Sequence, residues 1–200
     1  MRWSLLALVA TFVLLAGSDG CIEVGVVDNG FMMTDEGVVL SPGLLPMTVG
    51  IDPTIEDPSA VRDAIDLWNR KLETEVFVEV EDVADVLISE NYIAAVMNTE
   101  DSIYNISSYN DSPLDLTETE HAPDGMVISC NVIINVDYAY DREYSRLGSS
   151  HGFGHCLAFA DDPGINETVE LRSIMANPID PLGDVTIHDQ QLFWDAVSNR

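Results

Sequence analysis

The chain has 200 residues, 46% of them apolar, so it can form one domain with a real core in addition to a targeting segment. It carries 35 Asp and Glu residues against 8 Lys and Arg residues, which gives a net charge of −27. This acidity excludes nucleic acid as a partner, because phosphate binding needs a basic face, and it excludes a polybasic membrane contact. A solvated acidic surface in a salty or extracellular setting explains the charge, and the same carboxylates could recruit Ca²⁺.

The first twenty residues have the features of a signal peptide. Arg2 gives a positive start, and the apolar run Leu5–Ala16 is too short to span a bilayer comfortably. We therefore predict a signal peptide over residues 1–20 and an exported protein. Cys21 follows a small residue, as in the lipidation site of bacterial lipoproteins, and ordinary cleavage after Ser18 is the alternative. The chain is then either an envelope lipoprotein, held to the membrane by its lipid anchor only, or a secreted protein.

The chain has three cysteines, Cys21, Cys130 and Cys156. An odd number in an exported protein leaves one cysteine over. If Cys21 carries lipid, Cys130 and Cys156 form a natural disulfide pair in an oxidising compartment. Two separate buried thiols are the alternative.

The segment between the signal peptide and the predicted domain is rich in Gly and Asp. We interpret residues 21–44 as a tether with room for one short strand, and residues 45–200 as the folded domain. The alternation in Met47–Ile51 predicts a strand. Asp57 as N-cap and Pro58 at the first helical position predict the start of a helix. Its apolar face, including Trp68 as a core residue, consists of Val61, Ala64, Ile65, Trp68 and Leu72.

Further elements follow from local patterns. Strands are predicted at Val76–Val80, Ala84–Ser89, Tyr92–Met97 and Met126–Val136. Residues 98–125 are polar and acidic and predict a long loop that includes His121. Glu143–Ala160 predicts a helix weakened by glycines. A last helix begins after Thr186, with an acid at its third position, and His188 is expected on its surface.

The segment from His151 to Asp161 carries the most specific chemistry. Histidines four residues apart on a helix project from one face, so both imidazoles can reach a single ion. Asp161 can join them only if the helix stops and the chain turns, and Asp161-Asp162-Pro163-Gly164 is expected to provide that stop. Zinc accepts His nitrogen and Asp oxygen, and three protein ligands leave one position open, as in catalytic rather than structural sites.

This segment resembles the metzincin metalloprotease motif His-Glu-x-x-His-x-x-Gly-x-x-His, or its variant ending in Asp. His151 and His155 stand at its first and fifth positions and Asp161 at its eleventh. Ser173-Ile174-Met175 resembles the Met-turn of that family, with Met175 as the floor beneath the metal. Residues 47–69 and 84–86 resemble the first strand, first helix and third strand of matrixin-like bacterial members, so the resemblance covers residues 45–198.

The resemblance implies an α+β fold. Its parts would be a twisted mixed sheet of about five strands, an upstream helix, an active-site helix, a Met-turn and a C-terminal helix. It implies Zn²⁺ held by His151, His155 and Asp161, and hydrolysis of a peptide or protein substrate by zinc-bound water. We expect a monomer.

Two positions depart from the motif. Ala158 stands where the family has Gly, and Gly152 stands where it has the general-base Glu. General acid–base groups typically contribute about 10²–10⁴-fold to rate, so we predict no catalytic side chain at Gly152 and an impaired metallopeptidase. The alternative is a pseudoprotease that serves as an envelope-anchored binding or structural module. A single base change converts a Glu codon into a Gly codon, so a recent lesion is a further interpretation.

Overall fold

The computed structural model describes residues 22–25, 40, 42–93, 114–122, 126–161, 173–176 and 182–198. The predicted signal peptide, Cys21 and most of the tether lie outside these ranges. The elements are β1 (Ile22–Gly25), β2 (Met47–Ile51), α1 (Pro58–Lys71), β3 (Phe77–Val80), β4 (Val86–Asn91), β5 (Asp115–His121), β6 (Val127–Asn135), α2 (Val136–Ala139), α3 (Arg142–Cys156) and α4 (Ile187–Ser198). No helix in these ranges combines the length and apolar character needed to cross a membrane.

The strands form one mixed sheet in the order β1-β5-β6-β4-β2-β3. Strands β2, β3, β4 and β6 pair in parallel, whereas β5 runs antiparallel to β6. The α+β fold with a mixed sheet, an upstream helix and a C-terminal helix that the sequence leads us to expect is therefore present. In the described ranges the sheet has six strands, against about five expected, and Ile22–Gly25 in the predicted tether pairs in parallel with β5.

Strand β5 corrects the prediction of an uninterrupted loop over residues 98–125. Asp115–His121 is a strand, so His121 ends a strand instead of lying in a loop. Its polar residues Asp115, Thr117 and Thr119 are almost completely buried, with exposed fractions of 0%, 0% and 2%. The apolar alternation that marks a strand is absent because polar side chains take the buried positions. The predicted strand Tyr92–Met97 is also wrong at Tyr92 and Ile93, which lie in no strand, and its other residues lie outside the described ranges.

Helix α1 forms as its sequence predicts. The Asp57 carboxylate accepts a hydrogen bond from the Ser59 backbone N–H at 3.0 Å, and Pro58 opens the helix. Its buried face is Ala60, Val61, Ala64, Ile65, Leu67 and Trp68. Trp68 is fully buried, and its indole Nε1 donates to the Ser150 carbonyl of α3 at 2.8 Å. This bond fixes α1 against the middle of α3.

Helix α3 is held between α1 and the sheet. Every residue from Leu147 to Cys156 is buried. The predicted disulfide is present: Cys130 of β6 is bonded to Cys156 at the last turn of α3, with Cα atoms 5.7 Å apart. The end of α3 is therefore covalently fixed to the sheet, close to the histidines.

Candidate metal centre

His151 and His155 lie one turn apart on α3 and are both fully buried. Their ring centroids are 4.6 Å apart and the ring planes are nearly perpendicular, at 87°. Two imidazoles buried side by side in a helix place their nitrogens where one ion could contact both.

Helix α3 ends earlier than predicted, at Cys156 instead of Ala160. The Phe159 backbone N–H donates to the Gly154 carbonyl at 3.0 Å, and the Ala158 N–H donates to the His155 carbonyl at 2.8 Å. These two bonds define a Schellman motif, in which the residue after the cap takes a left-handed conformation. Ala158 takes it with a φ of 70°. The motif position that usually holds Gly therefore has a positive φ here, and Ala158 carries the strain.

This early turn returns the chain to the histidines. Asp161 Oδ1 lies 3.2 Å from His151 Nε2 and 3.3 Å from His155 Nε2. Each of the three side chains offers a ligand atom within 4.8 Å of the others, so the group could hold a metal ion. In the described part of the chain no second group of three His, Cys, Asp or Glu side chains converges in this way.

The electrostatics suit a charged ligand set. Burial by itself would raise the pKa of Asp161, but its contacts with His151 and His155 outweigh burial and hold that pKa well below its ordinary value. Asp161 therefore remains a carboxylate and an oxygen donor at neutral pH. Two imidazole nitrogens and one carboxylate oxygen match the donor types that zinc accepts.

The Nδ1 atoms of the two rings, on the side away from Asp161, have different neighbours. His155 Nδ1 lies 2.9 Å from the Phe159 carbonyl oxygen, which the Schellman turn brings beside it. His151 Nδ1 lies 3.3 Å from Oδ1 of Asp115, on β5. Asp115 was not among the predicted site residues, because it lies in the segment predicted as a loop. The alternation Asp115-x-Thr117-x-Thr119, with β-branched residues every second position, is the signal that could have revealed it.

Met175 packs beneath this part of α3. A β-carbon at Gly154 would lie 2.1 Å from Met175 Sδ and 3.1 Å from Trp68 Cζ2, so Met175 is directly against the helix backbone. The turn that holds Met175 is fixed by Ser173, whose hydroxyl accepts from the Met175 N–H at 2.9 Å and donates to Asp189 of α4 at 2.9 Å. Met175 therefore lies against the helix that carries the two histidines, packed on a glycine.

Asp189 also completes the predicted start of the last helix. Thr186 Oγ1 accepts from the Asp189 N–H at 3.2 Å, and Asp189 Oδ2 accepts from the Thr186 N–H at 2.7 Å, which is a capping box. Burial raises the pKa of Asp189, although bonds from Thr186 and Ser173 partly offset it. His188, in the same helical turn, is exposed as expected.

Gly152 lies between the two histidines, where neighbouring strands approach the helix backbone. A β-carbon there would lie 2.5 Å from Val132 Cγ1, 2.9 Å from Thr117 Oγ1 and 3.2 Å from Asp115 Oδ2. Distances below 3 Å require atoms to move, so this position is filled by β5 and β6. No side chain extends from residue 152 towards Asp161.

No family model matches the chain, and no curated protein sequence matches it. Solved structures of myroilysin do match. One is 12% identical over 92% of this chain and 92% of that chain, with a TM-score of 0.50. Another is 12% identical over 92% and 93% of the two chains, with a TM-score of 0.43. At 12% identity these matches bear on the fold alone. The match with the TM-score of 0.50 is the one that supports the fold.

Proposed function

We propose that this chain is an exported zinc-binding domain of the metzincin type, resembling the matrixin-like bacterial members, with weak peptidase activity. The observation that carries the proposal is the convergence of His151 Nε2, His155 Nε2 and Asp161 Oδ1 in a group with ligand atoms within 4.8 Å. Burial excludes water from the histidines, and the lowered pKa of Asp161 keeps its oxygen available to a cation.

The residues of the site have separate roles in this proposal. His151, His155 and Asp161 hold the metal, and Met175 packs below them. Zinc, when bound, would polarise the scissile carbonyl and lower the pKa of a water. Gly152 cannot accept or deliver a proton, so proton transfer lacks the group that contributes about 10²–10⁴-fold in comparable enzymes. We therefore expect metal binding with slow hydrolysis.

A pseudoprotease that binds peptides without cleaving them is the second candidate, and the packing around Gly152 supports it. Val132 and Thr117 occupy the space beside Gly152 at distances that exclude a β-carbon, and Asp115 lies close by. The surrounding strands are thus fitted to glycine and leave no room for a general base.

The first experiment measures zinc stoichiometry by elemental analysis and zinc affinity by chelator competition. We expect about one zinc per native chain and a loss of binding in His155→Ala. His188→Ala is the matched control, because His188 is exposed on α4 and should leave binding unchanged. If native protein binds no zinc, or if His188→Ala weakens binding as much as His155→Ala, the proposed metal site is wrong.

The second experiment separates an impaired peptidase from a pseudoprotease. Gly152→Glu alone would clash with Val132 and Thr117, so the general base is restored in a Val132→Ala/Thr117→Ala background, and that background alone is the control. With zinc at a saturating concentration, we expect Gly152→Glu in that background to cleave a casein-derived peptide mixture about 10²-fold faster than the control or more. Weak zinc-dependent cleavage by native protein supports the impaired peptidase, and none supports the pseudoprotease. Native cleavage as fast as that of the restored variant would contradict the role given to Gly152.

Substrate or partner peptides would pair with an edge strand, and β5 is the strand beside the site. In the described ranges its edge away from β6 is occupied by β1, which pairs Ile22–Gly25 with Leu116–Thr119. Strand addition is a recurrent mode of peptide recognition. A peptide could use this edge of β5 only after β1 is displaced.

Export by lipidation at Cys21 is part of the proposal. The disulfide between Cys130 and Cys156 supports an oxidising compartment, because such bonds are rare in the cytosol. Expression of the full chain in a bacterium, followed by membrane fractionation and intact mass measurement, tests lipidation. We expect the native chain in the membrane fraction with a lipid mass increment, and Cys21→Ser in the soluble fraction. A native chain cleaved after Ser18 without lipid would contradict the anchor but not the export.

A further inference from the structure

We propose that Asp115 is a positioning residue that fixes the tautomer and orientation of His151, so that His151 Nε2 faces the metal. The inference rests on the proposed zinc site and extends it to a side chain outside the His151–Asp161 segment. It also explains why a glycine at residue 152 suits the packing. The proposal depends on three observations: the contact with Nδ1, the unequal surroundings of the two histidines, and the packing around Gly152.

The first observation is the contact between two fully buried side chains. Asp115 and His151 both have exposed fractions of 0%, and Asp115 Oδ1 lies 3.3 Å from His151 Nδ1. The other carboxylate oxygen of Asp115 lies 3.3 Å from the Thr117 hydroxyl. Burying a carboxylate is costly unless it is paired. In its Nδ1–H tautomer His151 presents a donor to this carboxylate, and the 3.3 Å between the two atoms is a close contact that falls just outside hydrogen-bond geometry.

The second observation is the difference between the two histidines. His155 lies in the last turn of α3, so the Schellman motif brings the Phe159 carbonyl to its Nδ1 at 2.9 Å. His151 lies one turn earlier, where the helix continues and the carbonyl four residues ahead, that of His155, accepts from the Ala158 N–H. No Schellman turn follows His151 directly, and the group found beside its Nδ1 belongs to another element. Asp115, the first residue of β5, lies at that nitrogen.

The third observation explains why the carboxylate can come so near. Asp115 Oδ2 would be 3.2 Å from a β-carbon at residue 152, and the Thr117 hydroxyl would be 2.9 Å from it. Glycine between the histidines lets β5 approach α3 closely enough for Asp115 to reach His151. Unless Val132 and Thr117 are made smaller, a side chain at residue 152 would displace β5 and break the Asp115 contact.

A carboxylate behind a ligating histidine has a known physical effect. It fixes the proton on Nδ1, leaves the Nε2 lone pair free, and raises the basicity of the ligand. Loss of such a partner typically weakens metal binding by about 10–100-fold. Asp115 does not itself touch the expected metal position, since it lies on the Nδ1 side while Asp161 lies on the Nε2 side.

The test compares Asp115→Ala, Asp115→Asn and Glu90→Gln with the native full chain. Glu90 is the matched control: it is a carboxylate on β4 with 7% exposure, and its Oε1 accepts from the Glu56 N–H. Zinc dissociation constants come from chelator competition. We expect about 10–100-fold weaker binding for Asp115→Ala, a smaller loss for Asp115→Asn, whose amide oxygen still accepts from Nδ1–H, and no change for Glu90→Gln.

A second readout does not depend on metal. Long-range ¹H–¹⁵N spectra of the imidazole rings report which nitrogen carries the proton. We expect native His151 as the Nδ1–H tautomer, with that preference lost in Asp115→Ala and kept in Asp115→Asn. If native protein binds zinc and Asp115→Ala binds it equally well, or if native His151 carries its proton on Nε2, the inference about Asp115 is wrong. If native protein binds no zinc, the proposed site fails, and the tautomer of native His151 still decides whether Asp115 orients it.

Discussion

The sulfur of Met175 lies against the backbone of Gly154, so closely that a β-carbon on Gly154 would be 2.1 Å from it. Gly154 directly precedes His155, and the Ser173–Asp189 hydrogen bond holds the Met175 turn in place. The packing of Met175 below the histidines thus depends on a residue without a side chain. Adding one there forces Met175 and Trp68 apart.

Gly154→Ala should therefore destabilise the fold despite the better helix propensity of alanine. Overpacking of a tight site typically costs about 1–3 kcal/mol, whereas the propensity gain is about 1 kcal/mol. The free energy of unfolding by urea measures the balance. Gly148→Ala is the matched control on the same helix, because its β-carbon would meet Ile134 and Leu114 at 3.3 Å, a much milder contact. Equal effects of the two substitutions would contradict close packing of Met175 on Gly154.

Ala158 offers a stabilising change. With a φ of 70° it sits in the left-handed region, which costs an L-residue with a β-carbon about 1–2 kcal/mol. Ala158→Gly removes that strain but increases the freedom of the unfolded chain, so we expect a net stabilisation of about 1 kcal/mol. Thermal unfolding measures it. Ala160→Gly is the control: Ala160 has no positive φ, so glycine there should destabilise. A destabilising Ala158→Gly would show that the Schellman turn is not strained.

Elements with apolar periodicity or a strong cap were predictable from the sequence. Asp57 and Pro58 marked the start of α1, and Thr186 with Asp189 formed the expected capping box. The three candidate ligands are brought together as their spacing suggested. These features are local, because a few neighbouring residues determine a cap or a helical face.

The parts that were missed depend mainly on contacts between distant segments. Strand β5 is polar because Asp115 and Thr117 face α3, and nothing local to them indicates that helix. The end of α3 was placed four residues late because Ala158 occupies a position where glycine is the usual signal. Asp115 was missed because its strand is polar, although its carboxylate lies beside His151.

Glu90 predicts a specific dependence of stability on pH. Burial raises the pKa of its carboxyl above the ordinary 4.5, although the Glu56 N–H partly offsets this. The folded state then holds the proton more tightly than the unfolded state. The contribution of Glu90 to stability is therefore greatest below pH 4.5 and is lost as pH rises through the raised pKa. Glu90→Gln removes this loss, so its stability relative to native protein should increase across that window.

Glu79 is a control for which the opposite dependence of stability on pH is expected. A hydrogen bond from Arg62 lowers the pKa of Glu79 despite partial burial, so its contribution is present above pH 4.5 and is lost as pH falls through the lowered pKa. Unfolding by urea at several pH values should show Glu79→Gln approaching native stability as the pH decreases. Parallel profiles for Glu90→Gln and Glu79→Gln would contradict the assignment of these two environments.

The disulfide should contribute to stability and to the metal site together. Cys130 and Cys156 are 26 residues apart, and a bond closing a loop of this size contributes about 2–4 kcal/mol. Replacing both with Ser should lower the free energy of unfolding by about this amount and weaken zinc binding, because Cys156 adjoins His155. Cys21→Ser, measured on protein lacking the signal peptide, should change neither property. If the double variant is as stable as native protein, the bond does not fix α3 to the sheet in solution.

The pairing of β1 with β5 predicts how peptide binding should be controlled. Two truncated chains make a matched pair: one lacks residues 1–21 and keeps β1, and the other lacks residues 1–25 and exposes the edge of β5. Unpaired N–H and C=O groups on an exposed edge are a template for another strand. We expect the shorter chain to bind an extended peptide more tightly, as measured by fluorescence anisotropy. Addition of a synthetic peptide containing the β1 sequence should then compete with that binding. Equal affinities for the two chains would show that peptides do not bind at the β5 edge, and the metal site would then be approached from another side.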